Sequence, residues 1–115
     1  MEVQIFGVKK SADTRKAQRF FAERRIRVHF VDLVERAASL GELRRFAQRF
    51  GVERLLDRDS RRFAELGLGP ARYGEERWLE ILAEEPLLLR MPLVRSGTLL
   101  SVGVAEEEWK KWVAR

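Results

Sequence analysis

The N-terminal part of the chain changes hydrophobic period twice, and no other feature constrains the fold as strongly. Apolar residues recur first at the spacing of a strand over residues 2–6, then at the spacing of a helix over residues 12–24. Residues 26–33 return to alternation, and Val31 and Leu33 add apolar groups on the opposite face, which predicts an inner strand covered on both sides. Together the three segments predict a right-handed βαβ unit with two parallel strands.

The middle of the chain predicts only helices. Ser39 and Glu42 have the spacing of a capping box, in which each side chain accepts a backbone N–H at the start of a helix. Helical patterns cover residues 40–50, 52–57, 60–66 and 74–85, and Pro86 interrupts the last of them. We therefore expect an all-helical insertion inside a small α/β domain.

Strand patterns return towards the C-terminus. Residues 91–95 and 98–102 indicate two antiparallel strands joined by a two-residue turn at Ser96-Gly97, and a final helix is predicted over residues 105–114. The predicted fold class is α/β, with a four-stranded mixed sheet in one domain that spans the chain.

Cysteine is absent from the sequence, and His29 is the only histidine. Without cysteine there are no disulfides, no thiolate metal sites and no chemistry by a thiol of the protein itself. With one histidine, a metal site built by the protein is not expected either.

The chain carries 23 basic and 18 acidic residues, a net charge of +5 and a pI of about 10.2. Because both signs are interleaved along the helical segments, the charges predict solvated helix faces, and nucleic acid is not expected as a partner. The apolar runs are too short to span a membrane and no signal peptide opens the chain, so we expect a cytoplasmic protein. A composition rich in arginine and free of asparagine and cysteine further predicts a thermostable protein.

The segment Phe6-Gly7-Val8-Lys9-Lys10-Ser11, followed by Arg15-Lys16-Ala17, resembles the active-site loop of the arsenate reductase (ArsC)/Spx/YffB family. Residues 84–94, then Gly97 and residues 102–104, resemble the C-terminal motif of the same family. The resemblance covers nearly the whole chain and implies a thioredoxin-like fold. It implies a thioredoxin-like part formed by residues 2–33 and 91–115, and a helical insertion formed by residues 39–86.

The resemblance also implies that the family's nucleophilic cysteine is replaced here by Ser11, and that the second cysteine of Cys-x-x-Cys members falls on Thr14. Cysteine suits this position because the free N–H groups and the positive dipole of a helix start lower the pKa of a thiol. The same dipole, worth about 0.3–2 kcal/mol, lowers a pKa by less than about 1.5, which leaves a serine hydroxyl protonated near neutrality. We therefore assign no catalytic residue, regard Ser11 and Thr14 as a vestigial site, and expect Ser11 to cap a helix by accepting the N–H of Asp13 or Thr14.

Two arginines that hold the oxyanion in active members are altered according to the same resemblance. The residue before the matching proline, Pro92, is Met91, and Arg90 lies one position earlier, where an extended chain points a side chain to the other face. The second arginine falls on Asp59, with Arg58 beside it. Pro92 matches a proline that is cis in thioredoxin-like folds, but the sequence leaves its isomer open.

Three functions are compatible with this pattern. The first is a non-catalytic binding or regulatory module, for which Spx relatives imply RNA polymerase as a protein partner.

The second is an enzyme that borrows the thiol of glutathione. Ser11 would donate a hydrogen bond to its thiolate, while Lys9 or Lys10 attracts its carboxylates.

The third is an oxyanion-binding protein without chemistry, with the ligand at the start of the first helix. Taken together, the expected anion- or thiol-binding residues are Lys9, Lys10, Ser11, Ala12, Asp13, Arg15, Arg58, Arg90 and Pro92.

Overall fold

The structure, a computed structural model, describes residues 1–114. Its strands are β1 (Glu2–Gly7), β2 (Arg27–Asp32), β3 (Leu93–Ser96) and β4 (Leu99–Val102). Its helices are α1 (Ala12–Glu23), α2 (Leu40–Phe50), α3 (Val52–Leu55), α4 (Arg61–Glu65), α5 (Glu75–Glu84) and α6 (Glu106–Val113), and Pro86–Leu88 forms a 3₁₀ turn. The chain forms two compact units: a sheet unit, made of Met1–Arg36 and the C-terminal residues from Met91, and a helical unit, Ala37–Arg90.

The sheet has four strands in the order β2-β1-β3-β4. β1 runs parallel to β2, with Gly7 opposite Asp32, and antiparallel to β3, with Phe6 opposite Leu93. β3 and β4 form an antiparallel hairpin. The predicted βαβ unit and the predicted four-stranded mixed sheet are therefore confirmed.

The prediction that the second strand is an inner strand is wrong, because β2 lies at the edge of the sheet. Val31 is buried as predicted, but Arg27 and His29 on the same face are exposed, and Val28 and Phe30 on the other face are only half-buried. Val31 and Leu33 are therefore buried because the end of β2 is buried, although most of the strand is not.

The hairpin differs from its prediction: β3 begins two residues later and ends one residue later, and β4 begins one residue later. β3 begins at Leu93, because Pro92 has no N–H to donate to a neighbouring strand. Ser96 pairs with Leu99, so the turn residues are Gly97 and Thr98 in place of Ser96 and Gly97. Gly97 has a φ of +61°, which a glycine adopts without steric cost.

One face of the sheet is covered by α1 and α6. Val3 and Ile5 of β1 pack in one apolar cluster with Phe21 of α1 and with Trp109 and Trp112 of α6. The rings of Phe21 and Trp109 lie 5.4 Å apart, centre to centre. This cluster fixes α1, and with it the loop that precedes α1, against the central strand.

The helical unit has its own buried core. Ser39 and Glu42 make both hydrogen bonds of the predicted capping box at the start of α2. The third helix is shorter than predicted, because Leu56 leaves the helix in an extended conformation and pairs with Leu89. No helix within residues 1–114 has the length and apolar character needed to cross a membrane.

Candidate functional site

The loop between β1 and α1 places the residues that the sequence singled out at the start of a long, well-anchored helix. The backbone N–H of Ser11 donates to Val8 O at 3.1 Å. The carbonyl of Ser11 accepts the N–H of Arg15, also at 3.1 Å. The second of these bonds is the first turn of α1. The loop is therefore a tight connection whose geometry is set by β1 on one side and by α1 on the other.

Ser11 is the N-cap of α1. Its Oγ accepts the backbone N–H of Thr14 at 3.1 Å, and its φ and ψ of −72° and 116° are those of an extended residue. The predicted capping role is thus confirmed, with Thr14 and not Asp13 as the donor. Because a hydroxyl has one proton and two lone pairs, the half-buried Ser11 can accept this bond and still donate one to a ligand.

Thr14 faces inward from α1 and is fully buried. Its Oγ1 has no hydrogen-bond partner within residues 1–114. The side chain lies directly against Gly7, where an added Cβ would be 2.3 Å from Oγ1 and 2.6 Å from Cγ2. Thr14 therefore contributes to packing behind the loop and offers no surface to a ligand.

The basic side chains of the loop are exposed, and two of them are tied to neighbouring groups. Arg15 donates from Nη1 to Lys9 O at 2.7 Å, which bends its guanidinium back over the loop. Lys9 Nζ lies 3.9 Å from Asp32 Oδ2, a weak ion pair with the lysine side chain 77% exposed. Lys10, by contrast, makes no hydrogen bond or ion pair within the described part of the chain.

Asp32 is a residue of this loop region that the sequence analysis missed. It ends β2 opposite Gly7, with its side chain only 12% exposed, and its Oδ1 accepts the N–H of Val34 at 3.0 Å. The sequence could have indicated it, because Asp32 ends the second of two predicted parallel strands, and the carboxyl ends of such strands lie at the same edge of a sheet.

Pro92 is buried, and the peptide bond from Met91 to Pro92 is cis, the isomer that the sequence had left open. The pairing of Phe6 with Leu93 puts Pro92 at the same edge of the sheet as the loop after β1. Its carbonyl accepts the N–H of Gly103 at 2.8 Å, so it is fixed by the hairpin as well.

The two arginines considered from the helical unit are both held by that unit. Arg58 forms a two-point ion pair with Glu53, with Nη2 at 2.9 Å from Oε1, and this hydrogen bonding lowers the pKa of Glu53. Arg90 donates from Nε and Nη2 to the carbonyls of Arg54 and Leu56 at 3.2 and 3.1 Å. Each guanidinium thus stabilises its own unit.

The loop offers hydrogen bonding and positive charge. Ala12 and Asp13, the first two residues of α1, donate their backbone N–H groups to no acceptor within residues 1–114, as expected at a helix start. Among the same residues, no cluster of three histidine or acidic side chains is arranged to bind a metal ion. The free N–H groups of Ala12 and Asp13 and the exposed Lys10 are suited to an anionic or polar group.

Comparison with known proteins gives one family. The model of the ArsC family matches residues 6–112. The chain is 26% identical over 117 residues to the global transcriptional regulator Spx 2 of Oceanobacillus iheyensis, covering 100% of this chain and 86% of that one. It is 24% identical over 115 residues to the uncharacterized protein YusI of Bacillus subtilis, covering 96% and 98% of the two chains.

Solved structures agree in fold. An ArsC family related protein from Bacteroides fragilis superposes with a TM-score of 0.86 at 23% identity, over 96% of this chain and 97% of the other. An arsenate reductase from Vibrio cholerae superposes with a TM-score of 0.83, also at 23% identity and over 96% and 97% of the two chains. The expected α/β fold of thioredoxin-like type is therefore confirmed.

Proposed function

The chain belongs to the ArsC family, and we propose that it is a member without thiol chemistry of its own, which acts as a binding module in regulation. The partner is a protein, and by likeness to the Spx 2 regulators we propose RNA polymerase.

The observation that carries this proposal is the role of Ser11. Its oxygen stands at the start of α1, where a thiolate would gain from the helix dipole, and it is used as a helix cap that accepts the N–H of Thr14. A serine there cannot form a disulfide, and the sequence contains no cysteine that could take over the reaction.

The surrounding charges support the same proposal. Arg15 is directed to Lys9 O, Arg58 to Glu53 and Arg90 to two backbone carbonyls. Each arginine would have to give up existing hydrogen bonds before it could hold an oxyanion. The four-stranded sheet and its helices are present in contrast to the thiol, and a partner can bind their surface without any catalytic group.

The test is binding of the purified chain to RNA polymerase from the organism that encodes it, measured by biolayer interferometry with dithiothreitol or with diamide. We expect equal binding under both conditions, because the chain has no thiol to oxidise. Absence of binding to the core and holo forms of the polymerase would reject the proposed partner. Arsenate reduction by the chain alone would reject the non-catalytic role.

A second candidate function is binding of an anion or of glutathione at the start of α1. It is favoured by the free N–H groups of Ala12 and Asp13, by the remaining proton of Ser11 and by the exposed Lys10. Titration calorimetry with arsenate, sulfate and glutathione tests it. Heat that disappears in Lys10→Gln supports this candidate, and no heat at millimolar ligand removes it.

A further inference from the structure

The net positive charge of this protein comes from the sheet unit. That unit contains 13 basic and 8 acidic residues, whereas the helical unit contains 10 of each. The whole net charge of +5 therefore belongs to the sheet unit. A surface in this unit is the place to look for an acidic ligand.

The densest basic run of the sheet unit is Arg24-Arg25-Ile26-Arg27, where α1 ends and β2 begins. The helix ends in the hydrogen-bond pattern of a Schellman motif, with Arg25 N donating to Ala22 O and Ile26 N donating to Phe21 O, both at 3.0 Å. Arg25 occupies the left-handed position of this motif with a φ of +59°, where glycine is the usual residue. A bulky side chain kept in a conformation that disfavours it points to a use for that side chain.

The side chain of Arg25 is free to serve a ligand. It is exposed and makes no hydrogen bond or ion pair within residues 1–114. Arg27 alternates with Ile26 and Val28, which pack on the α1 and α6 side of the sheet, so it lies on the other face, where it makes a 3.8 Å ion pair with Glu2. Arg24 is fixed, with its guanidinium carbon 3.6 Å from the centre of the Phe20 ring and Nη1 bonded to Phe20 O.

An apolar groove of about 520 Å³ opens beside Arg24 and Ile26, the two neighbours of Arg25 in the chain. It is lined by Met1, Ile26, Leu99, Trp112 and Val113, together with the polar residues Arg24 and Ser96. Ile26, Leu99 and Val113 are half-buried, so apolar parts of their side chains are exposed to water in the groove of the free protein.

We propose that this groove, with Arg24 and the adjacent Arg25, binds an acidic protein segment that carries one apolar side chain. The apolar side chain fills the groove, and the flanking carboxylates meet Arg24 and Arg25. This inference rests on the proposed function only in taking the ligand to be a protein, and it adds the chemistry of the partner and the place where it binds.

The observations favour such a segment over a nucleic acid and over a second copy of the chain. A nucleic acid would gain from aromatic stacking, but Trp112 is only 4% exposed and offers no free ring face. A second copy would bring two basic surfaces together, and like charges at an interface oppose association. An acidic segment matches the charge, and its apolar side chain gains from the groove.

The experiment measures fluorescence anisotropy of a labelled peptide of glutamates around a central leucine, added to the intact chain. We expect binding that weakens with salt, and roughly tenfold weaker binding when serine replaces the leucine. Arg25→Gly should weaken binding about threefold without lowering the unfolding temperature, because glycine relieves the left-handed residue. Arg45→Gln removes one exposed charge from the helical unit and should leave binding unchanged.

Equal affinity for the leucine and serine peptides, or an equal loss in Arg25→Gly and Arg45→Gln, would overturn the inference. So would tighter binding of a single-stranded oligonucleotide of the same charge, or a dimer that Arg25→Gly strengthens. Polymerase binding that survives Arg25→Gly unchanged rejects this groove and leaves the proposed function standing. Peptide binding without polymerase binding does the reverse.

Discussion

Gly7 and Thr14 lie so close together that residue 7 has no room for a side chain. An added Cβ would lie 2.3 Å from Thr14 Oγ1, closer than real Cβ contacts come. Gly7, the last residue of β1, and Thr14, the third residue of α1, therefore pack together and hold the two ends of the loop in place. Ser11 owes its position to this contact and to the cap that it makes itself.

Gly7→Ala is expected to destabilise the protein by about 1–3 kcal/mol, because the new methyl group must displace Thr14 or the strand. Urea unfolding measures the change. Gly69→Ala is the matched control, since nothing lies within 4 Å of that site, and it should change stability by less than about 0.5 kcal/mol. Gly7→Ala combined with Thr14→Ala should recover most of the loss, and purely additive effects would contradict the close contact.

Thr14→Val should stabilise the protein by about 1 kcal/mol, because it replaces a buried hydroxyl that lacks a partner by a methyl group of the same shape. Thermal unfolding followed by circular dichroism measures the shift. Ser101→Ala should act in the opposite direction, since Ser101 Oγ accepts the buried indole N–H of Trp109 at 2.8 Å. A destabilised Thr14→Val would mean that the hydroxyl is hydrogen-bonded after all.

Ser11→Cys tests what the loop does to a nucleophile. We expect its thiol to react with iodoacetamide faster at neutral pH than the thiol of Ser39→Cys, which also caps a helix. Lys9 and Lys10 precede Ser11, whereas Glu42 bonds the backbone of Ser39, so only the first site favours a thiolate. Rates measured against pH give both thiol pKa values, and equal values would show that the loop adds nothing to the helix dipole.

Acid should weaken the helical unit through Glu85. Arg62 donates two hydrogen bonds of 2.9 Å to its carboxylate, and these lower the pKa of Glu85 below 4.5. Because the pKa is lower in the folded state, the pair stabilises the fold above about pH 4.5 and this contribution is lost as the pH falls through the lowered pKa.

Glu85→Gln should therefore cost stability near neutrality, and this cost should shrink as the pH falls below about 4.5. Urea midpoints at several pH values provide the measurement. Glu84→Gln, at an exposed neighbour without a partner among the described residues, serves as the control and should show no such trend. A constant difference between wild type and Glu85→Gln at every pH would contradict the role given to the ion pair.

Local patterns were sufficient for most elements of the fold. The capping box at Ser39 fixed the start of α2, and the apolar period fixed α1 and its parallel strands. Two predictions, the inner position of the second strand and the length of the third helix, failed because they depend on pairing between distant residues. Leu56 leaves its helix to meet Leu89, and the edge position of β2 depends on which strand pairs with the other side of β1.

The candidate site divides in the same way. Ser11 as an N-cap followed from its place before a helix, whereas the burial of Thr14 depends on Gly7, seven positions earlier. The contacts of Arg90 lie 34 and 36 positions away, so a sequence pattern gives no sign that they exist. The left-handed conformation of Arg25 was not predicted, because the residue at this position after a helix is usually glycine.

β1 is paired along both of its edges, and the loop with Ser11 follows it directly. The amide protons of β1 should therefore exchange with solvent only when the whole sheet opens. Those on the outer edges of β2 and β4 should exchange by local fraying of the strands. The loop is thus anchored to the most persistent segment of the sheet unit, independently of which atom residue 11 presents. A protein of this design can lose a reactive sulfur and still keep the shape of the surface that surrounded it.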